Sequence, residues 1–504
     1  MYKCTGCGGA LKFDIPSQKL KCDYCSTLYD PESVDDVSEA TDKGEDVTDK
    51  MSVNMFSCPS CGGTMYSSDD VAAGFCSFCG ASSVLEGRLV KTGKPKYILP
   101  FLKTKEDCKS LYHKKLKGAI FAPKELKDPE FVDEFRGIYM PYWLYNIEQK
   151  GEVSLPVSET HRQGDYMVTN HYLLQGNIDA EYNGLSHDAA SGFADNISES
   201  IAPYNVMKMK KFTPSYLSGF YADVADVKGG AYRQEAIGAA TDSSMQTIEK
   251  SGGYARYTFP DKGNEQRLHT ACKSEELAMF PVWFLAYRNK DRVAYATVNG
   301  QTGKVVCDIP VDIKKYLFGS LVLAIPIFLM LNLLFTFIPS VALSIITFIS
   351  LIVSGLYLVE KIEINNENNN KKRKRGMADI VSTLLIIIVG FLTIIVPVAV
   401  NMGGVPQLLM IGLTVIIWIS AICVNVECKQ VNNMQAWVGP AIMSVASTVL
   451  LLLNPASDIW YYAAIILTEI AQLYCLTQLI IKYNIIATRK IPQFNTHKGG
   501  NDRA

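Results

Sequence analysis

Eight of the fourteen cysteines fall into four Cys-x-x-Cys pairs near the start of the chain: Cys4 with Cys7, Cys22 with Cys25, Cys58 with Cys61, and Cys76 with Cys79. Fourteen residues separate Cys7 from Cys22, and fourteen separate Cys61 from Cys76, so one four-thiol unit is written twice. A Cys-x-x-Cys loop aims two sulfurs at one point. Two such loops brought together by a short hairpin complete a closed tetrahedral site, the chemistry of structural zinc. The spacing lies just under the roughly fifteen to twenty residues usual for such sites and still leaves room for a hairpin. Cys4, Cys7, Cys22 and Cys25 are therefore expected to hold one zinc ion, and Cys58, Cys61, Cys76 and Cys79 a second. Four protein ligands leave no open position for catalysis. Glycine follows the second cysteine in three of the four loops (Gly8, Gly62, Gly80), where backbone N–H groups must turn towards a thiolate, and Ser26 is the exception.

Redox chemistry is the competing reading of a Cys-x-x-Cys pair. It calls for a single pair at a helix start in a βαβ setting, which this pattern lacks. Nucleic-acid binding needs a basic surface. The second unit, Cys58 to Gly80, contains no Lys or Arg and carries Asp69 and Asp70, and the whole chain is nearly balanced at 49 basic and 50 acidic residues. The first residues form no apolar signal segment, so the thiols are expected in a reducing compartment. The six histidines are scattered, at 113, 161, 171, 187, 269 and 497. Gly300-Gln-Thr-Gly303-Lys304 fails as a phosphate loop, because Val298 stands at the first glycine position and Val305 follows the lysine. With no catalytic constellation in view, the chain is not expected to be an enzyme.

The elements that must carry these units follow from composition. Residues 1–29 read as the first zinc ribbon and 56–86 as the second. Between them, 30–55 reads as a flexible acidic linker: from Asp30 to Lys50, nine acidic residues meet two lysines and no aromatic residue. Residues 95–312 mix helical and strand periods and suggest an α+β domain. Thr104 with Asp107 resembles a capping box opening a helix from Lys105 to Lys117. Tyr166 to Tyr182 alternates as one or two strands. Arg233 to Lys250 places Ala236, Ile237, Ala240, Ser244 and Ile248 on one helical face. Arg292 to Ile309 predicts a hairpin about Asn299-Gly300. A weak internal echo links Pro141-Tyr-Trp143 to Pro281-Val-Trp283, as either two related halves or chance recurrence of an aromatic core strand would produce.

Long apolar runs then predict a transmembrane domain at 317–481. About six helices are expected, at Leu317 to Ile338, Val341 to Val359, Ala378 to Val400, Leu408 to Val426, Val438 to Leu453 and Ile459 to Ile481, followed by a tail at 482–504. The segments 360–377, 427–437 and 482–504, together with Lys314 and Lys315, carry fourteen Lys or Arg, whereas the alternate connections carry none. The positive-inside rule then puts both termini in the cytoplasm, which would make the chain a multi-pass protein of the cytoplasmic (inner) membrane. Lys371 to Arg375 reads as a topology signal or an anionic-lipid contact. Glu469, with Gln472 one turn on, sits midway along the sixth expected span. It is either a polar contact inside a bundle, with Asn332 as one partner, or a transport residue.

The tandem Cys4 ribbons, Tyr139-Met-Pro141-Tyr-Trp143, Tyr216-Leu-Ser-Gly-Phe-Tyr-Ala222, Val298-Asn-Gly-Gln-Thr-Gly-Lys304 and the apolar end together resemble a bacterial family labelled transcription-factor-IIB-type zinc-ribbon membrane proteins. The likeness covers about residues 1–340. It implies a membrane-anchored role beside SPFH-domain and phage-shock-protein-A-like partners in an envelope-stress module. The expectation is thus a multi-domain chain of two small β zinc ribbons, a cytoplasmic α+β domain and an all-α transmembrane bundle, acting as a non-enzymatic adaptor that recruits protein partners to membrane lipid. The alternatives are a transporter or channel with a regulatory zinc-ribbon domain, resting on Glu469, and a membrane-tethered nucleic-acid-binding regulator.

Overall fold

The computed structural model describes residues 2–34, 50–67, 76, 78–81, 86–191, 195–251, 253–260, 262–334, scattered positions between 339 and 357, and 435–490. The chain divides into two units, one made of Met1–Ile120, Lys124–Asp308 and Arg489–Ala504, the other of Phe121–Pro123 and Ile309–Thr488.

In the first unit the opening ribbon is a three-stranded antiparallel sheet of β1 (Leu11–Asp14), β2 (Lys19–Cys22) and β3 (Leu28–Tyr29). Side chains alternate across a strand, so Leu11 and Phe13 on β1, and Leu20 and Cys22 on β2, turn inward together. The second ribbon is built on β4 (Lys50–Ser57), with β5 (Thr64–Ser67) and β6 (Glu86–Gly93) antiparallel on its two edges. The expected acidic linker is shorter than its composition suggested. Residues 31–34 form a helical turn, residues 50–55 already belong to β4, and 35–49 lie outside the described residues.

A large mixed sheet dominates this unit. Its strands are β7 (Tyr97–Ile98), β8 (Arg136–Gln163), β9 (Tyr166–Asp188), β10 (Lys210–Lys211), β11 (Tyr221–Asp223), β12 (Thr270–Asn289), β13 (Arg292–Asn299), β14 (Val305–Cys307) and β15 (Arg489–Lys490). The order along it is β10-β7-β12-β8-β11-β5-β4-β6, so the second ribbon continues the sheet of the domain. The segment expected to give one or two strands from Tyr166 to Tyr182 is the single strand β9, paired along β8.

The Pro-x-Trp echo proves to be the centre of this sheet. β8 and β12 run antiparallel with Met140 opposite Phe280, so the two copies lie across a local two-fold axis. Tyr97 of β7 pairs in parallel with Ala278 of β12, and Tyr221 of β11 pairs in parallel with Ile138 of β8. Ala278 follows Ile138 by the same interval as Pro281 follows Pro141, so Tyr97 and Tyr221 occupy equivalent places. Both tryptophans use their indole N–H alike: Trp143 Nε1 donates to the carbonyl of Val227 at 2.8 Å, and Trp283 Nε1 to that of Lys103 at 2.9 Å. Each accepting carbonyl lies six residues beyond its tyrosine. A helix follows each short strand: α1 (Lys105–Leu116) opens on the Thr104–Asp107 capping box and buries Cys108, Tyr112 and Leu116 one turn apart, and α2 (Arg233–Lys250) buries Ala236, Ala240 and Ser244.

One face of the sheet packs Ile138, Met140, Tyr142, Phe280, Val282 and Phe284 together. On the other, Phe101 stacks on Phe220 with ring centroids 4.5 Å apart and meets Tyr139 and Trp283 edge-on. The expected hairpin about Asn299-Gly300 forms between β13 and β14, with the Asn299 carboxamide oxygen accepting from the backbone N–H groups of Gln301 and Thr302. A Cβ at Gly300 would stand 2.6 Å from Phe101 Cδ1 and 2.8 Å from Pro281 Cβ. Gly300→Ala is therefore expected to destabilise the protein by about 1–3 kcal/mol through overpacking, read as a lower midpoint in thermal unfolding.

The second unit contains helices Ile313–Leu334, α3 (Gln435–Leu453) and α4 (Ile459–Ile486). α3 and α4 form a hairpin closed by Asn454, whose side-chain oxygen accepts from Tyr461 at 2.9 Å, with Leu451 and Tyr461 packed on Leu343. These helices correct the expectation of a six-helix bundle. Among the described residues one helix, Ile459–Ile485, is long and apolar enough to cross a membrane, while Gly439–Leu453 is apolar but too short. The spans expected at Ala378 to Val400 and Leu408 to Val426 lie outside the described residues, as does most of Val341 to Val359. The six-span reading took every long apolar run as a crossing, but run length does not show how far one uninterrupted helix extends. Ile313–Leu334 carries Pro326 inside it, and α3 carries Pro440. The multi-pass inner-membrane localisation with two cytoplasmic termini, inferred from alternating loops between six spans, falls with that reading.

Candidate metal centres

All eight cysteines singled out by spacing are brought together, in two groups of four. The four loops share one backbone design. In each, the first cysteine accepts at its carbonyl from the N–H of the residue after the second cysteine: Gly8 to Cys4 at 2.8 Å, Ser26 to Cys22 at 3.0 Å, Gly62 to Cys58 at 2.7 Å and Gly80 to Cys76 at 2.9 Å. In each, the first cysteine's own N–H also donates five residues on, to Gly9, Thr27, Gly63 or Ala81. The turn requires positive φ at the residue after the second cysteine, and the values at Gly8, Ser26, Gly62 and Gly80 are 75°, 58°, 75° and 66°. Glycine takes that conformation without steric cost, whereas for Ser26 it costs about 1–2 kcal/mol.

Each group fits a tetrahedral ion. Four sulfurs about 2.3 Å from a common centre lie about 3.8 Å from one another. In the second group Cys58 and Cys79 Sγ are 3.7 Å apart, and Cys61 and Cys76 Sγ 3.8 Å. In the first group the separations are 3.5 Å for Cys4–Cys25, 3.4 Å for Cys7–Cys22 and 3.5 Å for Cys7–Cys25. Both clusters can therefore hold one metal ion each, with every coordination position filled by protein.

The two centres sit in different surroundings. All four thiols of the second are buried, among Phe56, Met65 and Phe78, whereas in the first Cys4 and Cys22 are buried and Cys7 and Cys25 exposed. Polar neighbours favour the thiolate at Cys4 and Cys25 in the first, whereas at Cys7, despite the opposing Gly9 backbone, the neighbouring Cys22 and Cys25 sulfurs push the thiol up to about 12. The Tyr29 hydroxyl, 3.1 Å from Cys4 Sγ, draws that thiol down to about 6. The Thr27 hydroxyl, 3.1 Å from Cys25 Sγ, also lowers its neighbour. In the second, the Gly63 N–H donates to Cys61 Sγ at 3.4 Å.

Both ribbons are held against the sheet domain. Ribbon 1 inserts Phe13 against Tyr216 (5.3 Å) and Phe220 (6.5 Å), donates from the Phe13 N–H to Ser218 O at 3.0 Å, and reaches Phe101 O with Gln18 Nε2 at 2.8 Å. Ribbon 2 pairs β5 with β11, accepts a hydrogen bond from the Tyr295 hydroxyl at Phe78 O, and offers Ser60 Oγ to Arg288 Nη1 at 3.3 Å. Sequence reasoning found all eight clustered cysteines but none of this second layer. Tyr29, Phe13 and Tyr295 carry no motif, because their roles depend on contacts between residues separated in the chain, and Thr27 acts on Cys25 two residues away without any motif to mark it. Glu469, the candidate transport residue, lies on α4, away from both clusters in sequence.

No family model matches the chain, and no solved structure matches it. It is similar to the uncharacterized protein YdjG of Bacillus subtilis (strain 168). The two are 26% identical over 321 residues, which is 62% of this chain and 91% of YdjG. Nearly all of YdjG is thus matched, but it is itself uncharacterized, and the relationship brings no activity to this chain.

Proposed function

We propose that the protein is a non-enzymatic adaptor in which two structural zinc ions fold a pair of ribbons onto the sheet domain. The platform so formed docks protein partners, and Ile459–Ile485 tethers it to a membrane. The observation that carries this reading is the seating of both closed Cys4 ribbons on one sheet. Metal is used there to fix the shape of a surface, since four thiolates leave no position for a substrate. Zinc is favoured as the metal by an all-thiolate tetrahedral set. Ribbon 1 presents Tyr24, 82% exposed, and Leu28, 47% exposed, beside its cysteine loops. A projecting tyrosine is among the residue types enriched as interface anchors, and Leu28 adds apolar surface beside it. The resemblance in the ribbons and the Pro141 and Val298 segments nominates SPFH-domain and phage-shock-protein-A-like proteins as partners, in an envelope-stress module.

The test uses the full-length protein with Tyr24→Ala and Leu28→Ser together, positions open to solvent whose replacement leaves the cysteines intact. The doubly substituted protein should retain two zinc per chain and its melting temperature while losing at least about tenfold in affinity for those partners, as loss of an anchor pair predicts. Undiminished capture would rule out ribbon 1 as the docking face.

A further inference from the structure

The same four-thiol unit occurs twice, yet the two copies differ in what a solute can reach. In the second, all four sulfurs are buried, whereas in the first Cys7 and Cys25 are exposed and their Sγ atoms are 3.5 Å apart. We propose that Cys7 and Cys25 form a site of reversible oxidation by peroxide, and that their thiol state latches ribbon 1 onto the sheet domain. This rests on the reading that both clusters hold zinc.

The chemistry balances with hydrogen peroxide as the oxidant. One exposed thiolate attacks a peroxide oxygen; the O–O bond breaks, hydroxide leaves, and a sulfenic acid forms. The neighbouring thiolate then attacks that sulfur, the S–O bond breaks with loss of a second hydroxide, and the Cys7–Cys25 disulfide forms. Two electrons pass from the sulfurs to the peroxide, and two protons taken from solvent turn both hydroxides into water. A dithiol reverses the step by thiol–disulfide exchange. Oxidation leaves the first cluster with two of its four ligands, Cys4 and Cys22. Thiolate reactivity follows exposure, so the buried second cluster should be slower.

Loss of the first site should release the ribbon. Its strands span only four, four and two residues, and its buried apolar side chains are few: Leu11, Phe13 and Leu20. A core of that size does not fold without its metal. The seat beneath it is also imperfectly satisfied. Among the described residues, the buried Tyr216 hydroxyl and Ser218 Oγ have no hydrogen-bond partner, which disfavours the docked state. Undocking lets water satisfy both and frees Phe13 from Tyr216 and Phe220.

The test treats the full-length protein with increasing hydrogen peroxide after metal analysis. Three readouts follow: zinc released to a chromogenic chelator, disulfides mapped by mass spectrometry, and protease cleavage near residues 10–20. One zinc per chain should leave at least about tenfold faster than the other. A Cys7–Cys25 disulfide and new cleavage in ribbon 1 should accompany it, and dithiothreitol with added zinc should restore the start. Release of both zinc ions together, release from the second cluster first, or no release overturns the proposal. Fewer than two zinc per chain before oxidation overturns the metal reading itself, and the proposal with it.

Discussion

Replacing Cys61 and Cys76 with serine should remove one of two zinc ions and lower the thermal midpoint of the first unit more than any single core substitution. Structural zinc in small domains contributes an apparent 10–16 kcal/mol, roughly, at neutral pH, and losing two of four thiolates forfeits most of it. The effect should spread beyond the ribbon because this centre is built into the sheet. Phe56, Met65 and Phe78 pack around its sulfurs, β5 pairs with β11, and the Tyr295 hydroxyl donates to Phe78 O. Without the metal, β11 loses its β5 partner and Tyr295 its acceptor. Replacing Cys7 and Cys25 instead should also remove one zinc, but with a smaller loss of stability, since ribbon 1 touches the domain through Phe13, Gln18 and their neighbours without extending its sheet. Metal analysis and thermal unfolding on the two double variants decide the matter. Equal midpoints for the pair, or two zinc retained in either, would contradict this account of the ribbons.

The legible parts of the molecule are those whose information is local. A cysteine pair and the glycine or serine after it specify their own turn, so the eight cysteines and their four loops are legible directly. Thr104 with Asp107, and Asn299 with Gly300, likewise announce a helix start and a hairpin. The Pro-x-Trp echo was visible as a repeat, but its meaning was not. Only the pairing of Met140 with Phe280, and of Tyr97 and Tyr221 with each other's halves, shows two copies facing across an axis. Docking of the ribbons was hidden for the same reason, since nothing near Phe13 in the chain indicates Tyr216 as its neighbour. The apolar end misled in a different way. Hydropathy measures how comfortable a segment is away from water and says little about where one helix stops, as the short apolar stretch Gly439–Leu453 illustrates.

Asp223→Asn should stabilise the first unit at neutral and alkaline pH. Asp223 ends β11 opposite Met65 of β5, at the seam where ribbon 2 joins the domain. Its side chain is buried; Oδ1 accepts from the Val224 N–H at 2.8 Å, and Oδ2 has no partner among the described residues. Burial pushes the carboxyl from 3.8 up to about 8, with the nearby Asp226 and Asp188 carboxylates adding to the rise and the Val224 N–H opposing it. Between those two values the folded protein keeps a proton that the unfolded chain releases, so the unfolded state is increasingly favoured as pH climbs. The stability Asp223 contributes is therefore complete below about pH 4 and lost as pH rises through about 8. Asparagine preserves the shape and the bond from Val224 but cannot ionise. Parent and variant should be nearly equal at pH 4 and diverge to a difference of up to about 6 kcal/mol by pH 9, because each tenfold change in proton affinity on folding is worth about 1.4 kcal/mol. Hydrogen exchange at the amides of β5 and β11 locates the effect: the parent's protection there should fall with rising pH after correction for intrinsic exchange, and the variant's should not. Parallel curves for the two proteins would mean that Asp223 titrates normally and that the seam gains nothing from its protonation.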